Sequence, residues 1–165
     1  MKNSRFRIMV ILFLVGFIVA LGVSYSVTIG GVSEGKFNVE YDSTWRIVRY
    51  NEFKLKHKKT GSILNIQSKE IEENYVDTEL KYIINDIVYS IEEQNPEYKL
   101  INFNNNVSDK YDAYSYLYEK DMKQVLVNIY KKNNKIVIAY YEADSKYYDI
   151  VLDSVDTILA SLEIS

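Results

Sequence analysis

The chain contains one histidine, His57, and no cysteine. Disulfides, thiolate metal sites, cysteine nucleophiles and multi-histidine metal centres are therefore excluded. A Ser–His–Asp site would have to use His57. That residue is in phase with Phe53 and Leu55 and is flanked by Lys54, Lys56, Lys58 and Lys59. The lysines are expected to lower its pKa and keep the ring neutral. A ring packed at a strand end fits this pattern better than a general base.

Asp149, Asp153 and Asp156 stand at i, i+4 and i+7, one face of a helix. Carboxylates so spaced can contribute to a calcium site, but one helix cannot surround an ion and no Asp-x-Asp-x-Asp-Gly loop is present. The solvated side of an amphipathic helix is the simpler reading. Glu72-Glu73 and Glu92-Glu93 are adjacent pairs, whereas glycoside hydrolysis needs carboxyls opposed across a cleft. No phosphate-cradling glycine loop, Walker motif or HExxH is present. Nothing here implies a cofactor or a metal, and no enzyme is expected. Asn106-Val107-Ser108 matches a glycosylation sequon, a pattern frequent by chance.

Arg46, Arg49, Lys54, Lys56, Lys58 and Lys59 stand against only Glu52. They could meet anionic head groups or a wall polymer. They also suit the polar face of a strand whose lysines blunt an edge. Sixteen tyrosines are an unusual load for 165 residues. Tyr114, Tyr116 and Tyr118 share one strand face and form the candidate binding face, because tyrosine offers rigid contact area with a polar tip. Packing within a sheet is the competing account of the same residues.

The elements that must position these residues follow from periodicity. Phe37, Val39 and Tyr41 alternate with polar residues as a half-buried strand. Phe53–His57 and Ser62–Ser68, joined by Lys58-Lys59-Thr60-Gly61, read as a hairpin. Leu80, Ile83, Ile84, Ile87, Val88 and Ile91 form an amphipathic helical stripe, with Asp77 or Thr78 as its expected cap and Asn95-Pro96 as its stop. Runs at Tyr98–Phe103, Tyr111–Glu119, Gln124–Lys131 and Lys135–Ala143 predict four more strands, the last three in a meander. A second helix is expected from about Ser145, and Ser161–Ile164 could add an edge strand. The fold class is α+β: a mostly antiparallel sheet of about six to eight strands with two amphipathic helices, preceded by one N-terminal transmembrane helix.

Lys2, Arg5 and Arg7 precede an apolar run from Ile8 to Val23, and no charge intervenes between Arg7 and Glu34. A bilayer core needs about twenty helical residues, which residues 8–27 provide. The basic tail, 1–7, is expected to stay in the cytoplasm, sending residues 37–165 outside after a linker at 28–36. The alternative is a secretory signal cleaved near Ala20-Leu21-Gly22. All 23 acidic residues follow Arg7, as do all but three of the 20 basic ones. A mildly acidic outer domain gives no reason to expect nucleic acid.

Phe37-x-Val39-x-Tyr41 followed by Asp42-Ser43-Thr44-Trp45 resembles the opening of PsbP-like domains. That fold is shared by photosystem II extrinsic subunits, a Ran-binding nuclear-transport factor and anchored bacterial domains. The resemblance extends to the final helix running into Ile158-Leu159-Ala160-Ser161-Leu162, and departs where Asp42-Ser43 replaces the usual proline. It implies scaffolding or ligand binding rather than catalysis, and no functional residue of the family carries over. The expectation is a single-pass protein of the cell membrane with an extracytoplasmic binding or assembly module. Its expected partners are the lipid bilayer, through residues 8–27, and another envelope protein. The alternative is a domain that binds a small molecule or wall glycan.

Overall fold

The computed structural model of the protein describes residues 27–30, 37–49, 53–72, 75–105 and 107–165. The expected anchor (Val27 excepted), Glu73 of the first glutamate pair and Asn106 of the sequon lie outside the described residues. Among the described residues no helix is long and apolar enough to cross a membrane.

The strands are β1 (Val27–Gly30), β2 (Phe37–Tyr41), β3 (Trp45–Arg49), β4 (Phe53–His57), β5 (Ile63–Glu70), β6 (Lys99–Asn105), β7 (Asp112–Lys120), β8 (Lys123–Lys132), β9 (Lys135–Asp144) and β10 (Glu163–Ile164). The helices are α1 (Leu80–Gln94), between β5 and β6, and α2 (Ser145–Ala160), between β9 and β10. Seven strands form one antiparallel sheet in the order β3-β4-β5-β9-β8-β7-β6. A smaller sheet runs β1-β2-β10. This is the α+β architecture that the patterns predict, with two helices and a mostly antiparallel sheet.

Alternation along the central strands builds a core on each face of the large sheet. On one face Val125, Val127, Ile129, Ile136 and Ile138 pack under α1 through Leu80, Ile83, Ile84 and Ile91. On the other, Val137, Ala139 and Tyr141 meet Tyr148, Val151, Val155 and Ile158 of α2, and Phe37 and Val39 of β2 join them. The layers are thus α1, the sheet, then α2 with the small sheet. Each fully buried leucine or isoleucine contributes about 1.5–3 kcal/mol, so both cores are needed.

Three details depart from expectation. β3 was not anticipated; it pairs with β4 (Trp45↔His57, Ile47↔Leu55) and turns the expected hairpin into a three-strand meander. Residues 28–30 of the expected linker lie in β1 and pair with β2 (Thr28↔Glu40, Ile29↔Val39). Neither Asp77 nor Thr78 caps α1. The residue preceding the helix is Glu79, in extended conformation with no side-chain cap bond of its own. The Leu80 amide donates instead to Asp112 Oδ2 of β7 at 2.8 Å. A carboxylate from a distant strand supplies the cap because it can reach the free amide while bracing the helix against the sheet.

The turns follow local chemistry. Asp121 and Asn133, both at φ 53°, take the left-handed positions in the two-residue links β7–β8 and β8–β9, and Gly61 at φ 79° does so in β4–β5. Where the family resemblance expects proline, Asp42 forms an Asx turn: its Oδ1 accepts from the Thr44 amide (2.8 Å) and from the Thr44 hydroxyl (2.5 Å). That turn delivers Trp45 to the core, where its indole N–H donates to Ser154 Oγ of α2 at 2.8 Å. At the other helix, the Asn95 carboxamide donates to the Ile91 carbonyl at 2.7 Å and Pro96 ends the chain's helical path.

Candidate functional site

His57 closes β4 with its ring edge-on to Trp45, 5.2 Å between centroids. The Thr60 hydroxyl and amide converge on Nδ1 at 2.8 and 3.4 Å, which makes Nδ1 an acceptor and leaves the neutral ring's proton on Nε2. Burial lowers its pKa, and Lys59 adds to this while Asp42 opposes it. The cause expected from sequence, positive neighbours, is real but secondary to desolvation. Thr60 Oγ1 lies 2.8 Å from Ser62 Oγ. Ser62 is itself buried, and this chain of hydroxyls organises the turn.

The acidic residues do not converge. Among the described residues no three His, Asp or Glu side chains approach closely enough to hold a metal ion. Glu92 accepts from the Tyr118 hydroxyl at 3.2 Å, while Glu93 and Glu72 face solvent. Asp149, Asp153 and Asp156 all lie on the outer side of α2, yet Asp156 is partly desolvated. Its pKa is raised, first by burial and then by Asp153. In the basic cluster, the Lys58 ammonium donates to the Ser43 carbonyl at 2.5 Å. Lys54 and Lys56 line the face of β4 opposite Phe53 and Leu55.

The tyrosine stripe is turned toward α1. Tyr116 is 7 % exposed and Tyr118 1 %, both within the core beneath that helix, and Tyr114 packs half-buried at its margin. Burial pushes the Tyr118 phenol far up and the Tyr116 phenol up as well. Packing, the competing account of these residues, is what their surroundings match. The accessible continuation of the stripe is Phe103 of β6, stacked on Tyr114 (6.0 Å between centroids, 17° between planes) and 5.1 Å from the Tyr116 ring. Sequence reading placed Phe103 at the end of a strand without singling it out. The signal was its register opposite Tyr116, which the bulge between Leu100 and Asn102 sets and no periodicity shows.

β6 is the outer strand of the large sheet, and all seven of its residues are exposed. Leu100, Ile101 and Phe103 are 51 %, 50 % and 48 % accessible. The bulge at Ile101 breaks the alternation, so large apolar side chains crowd an edge that ordinary patterning would make polar.

A concave feature lies on the α2 face of the sheet. A cavity of about 430 Å³ is bounded by α2, by the 107–111 loop and by β7 and β8. Its floor carries Ser115 and Asn128, directly opposite one another in the ladder, with Leu126 and Tyr130 to either side. A second hollow of about 330 Å³ shares Ser115, Leu126 and Asp156 and runs on toward Asn102 and Asn104. Sequence reading missed this trough. Its groups lie on the 107–111 loop, β7, β8 and α2, and no local periodicity relates them.

No protein-family model and no curated protein matches the chain. Solved structures do. The solution structure of cyanobacterial PsbP (CyanoP) from Synechocystis sp. PCC 6803 aligns with a TM-score of 0.63 and 13% identity, covering 87% of this chain and 95% of that one. A crystal structure from Bacteroides thetaiotaomicron VPI-5482 aligns at a TM-score of 0.45 with 11% identity, over 85% of this chain and 48% of that one. The first of these defines the class: the chain has a PsbP-like fold.

Proposed function

We propose that this chain is a non-catalytic binding or assembly module of the cell envelope. Residues 8–27 hold it in the membrane, residues 37–165 face outward, and the β6 edge engages another envelope protein. The observation that carries the reading is β6 itself: Leu100, Ile101 and Phe103 stand exposed together on the outer strand of the large sheet. Exposed clusters of this kind mark interaction surfaces, and an aromatic ring at the centre is the usual anchor of such a contact. The resemblance to PsbP-like domains supports a binding role. So does the placement of His57, whose Nδ1 is occupied by Thr60.

A photo-cross-linking residue placed at position 101 of the whole chain, expressed in its native membranes, tests this. One discrete protein adduct is expected from position 101 and none from position 82 on the outer face of α1. Leu100→Lys combined with Phe103→Lys should reduce that adduct at least about tenfold, since losing a central apolar anchor costs more than about 1.4 kcal/mol. A bait recovered without its first twenty or so residues, and with no adduct, would sink both the anchor and the assembly role.

A further inference from the structure

We propose that the groove between the C-terminal half of α1 and strands β5 and β9 binds the free C-terminus of an extended peptide with an aliphatic side chain. The key atom is Oδ1 of Asn65, on β5. It is buried and has no hydrogen-bond partner among the described residues. Buried side-chain carbonyls are almost always paired, so an orphaned one calls for a donor from outside the chain. The Ser68 hydroxyl is also unpaired, but alternation along β5 turns it to the opposite face of the sheet, with Leu64 and Ile66. Asn65 lines a hollow of about 290 Å³ that also takes in Lys54 and Gln94. A hollow of about 310 Å³ adjoins it beneath α1, and the two share Gln67, Gln94 and Tyr140. Together they make one elongated groove with a few convergent polar groups.

The walls select the ligand by three requirements. Asn65 Oδ1 needs an N–H or O–H, and Gln94, whose Nε2 donates to Ser90 Oγ at 3.2 Å, keeps its carbonyl oxygen as a further acceptor. Lys54, directly opposite Asn65 in the β4–β5 ladder, has no carboxylate partner among the described residues. Arg46 and Lys56, paired with each other, follow on the same face, so this mouth of the groove is positive and complements an anion. The carboxylate at this end, Glu142, is already held by the Lys123 ammonium. The adjoining hollow is aliphatic, with Ile71, Ile87, Ile91, Ile136 and Ile138 in its lining. A fatty acid would meet the second and third requirements but, once ionised, brings no donor. A sugar brings donors without the charge or the aliphatic chain. A peptide C-terminus carries an amide N–H, a carboxylate and a branched side chain within two residues. Nothing in this argument depends on the anchor or on the apolar residues of β6.

The test is a titration of the whole chain, purified in detergent, with acetyl-Ala-Ala-Leu and acetyl-Ala-Ala-Ile as free acids, with each as its C-terminal amide, and with octanoate. Each probe is taken to about 20 mM, a range that captures weak millimolar binding. Amide chemical shifts and melting temperature are read together. At least one free acid should give saturable shifts at Asn65, Gln67, Tyr140 and the last two turns of α1, with a rise in melting temperature. Its amide, and octanoate, should bind at least about tenfold more weakly. Asn65→Val removes an unpaired buried acceptor, so it should melt no lower than the parent chain, yet it should weaken peptide binding at least about tenfold. Lys54→Gln should erase the preference for the free acid over the amide. Shifts elsewhere, no saturable shifts with either free acid, or octanoate binding as tightly as the peptides would overturn the assignment. So would equal binding of acid and amide by the parent chain, or unchanged binding by Asn65→Val.

Discussion

At the residue scale, Tyr118 and His57 show how far side-chain type alone can be read. Tyr118 was visible in sequence as a member of a tyrosine face, but not as a phenol pointed at Glu92 under a helix. Alternation tells which residues share a face and not which layer covers it. Tyr118→Phe should cost about 0.5–1.5 kcal/mol by losing that hydrogen bond, whereas Tyr118→Ala should cost about 3–5 kcal/mol by opening a cavity. Denaturant titration would separate the two. His57 was correctly read as a packed, neutral ring, with the larger cause of its lowered pKa hidden because burial is not printed in local sequence. A histidine pKa depressed by folding means the unfolded chain binds the proton first. Stability is therefore intact above about pH 6.5 and declines as pH falls through the ordinary value toward the folded one. His57→Asn should flatten that decline in thermal melts across the acid range, and an unchanged slope would contradict the assignment.

At the scale of elements, the helices were legible because a stripe at period 3.6 survives any tertiary context. The predicted start of α2 and the stop of α1 hold within a residue or so. The cap of α1 was not legible, since Asp112 is far along the chain and only the fold brings it to Leu80. Asp112→Ala should destabilise by about 1 kcal/mol and speed amide exchange in the first turn of α1 while leaving its last turn unchanged. β3 was hidden for a different reason. Trp45 and Ile47 are its only inward apolar residues, and the register shift between Ile47 and Arg49 cuts the alternation short. Bulges also concealed the β6 edge, and the trough escaped notice because Ser115, Asn128 and Asp156 carry no mutual spacing signal.

At the scale of the whole molecule, the tyrosine load has a collective consequence. Burial raises the phenol pKa at Tyr98, Tyr116, Tyr118, Tyr130, Tyr140, Tyr141 and Tyr148. Tyr141 is pushed up to about 12. Above the ordinary value near 10 the unfolded chain releases these protons while the folded one keeps them, so stability falls as pH rises. Melting temperature should be flat to about pH 9.5 and then drop steeply, more so than for a protein with exposed tyrosines. Closure of the fold rests on the last few residues. Leu162 and Ile164 are both buried, and truncation after Ser161 should cost several kcal/mol, at about 1.5–3 kcal/mol per buried side chain. Such a chain would show early urea unfolding.

The pairing of Ile164 with Phe37 and of Glu163 with Asn38 joins the final strand to the second one. A ribosome delivers those two strands far apart in time, so β2 waits, paired on one side by β1, while the large sheet's strands and both helices emerge. Until β10 arrives, that edge of β2 stays unsealed and open to proteases or chaperones. Arrival of β10 is then the event that closes the small sheet.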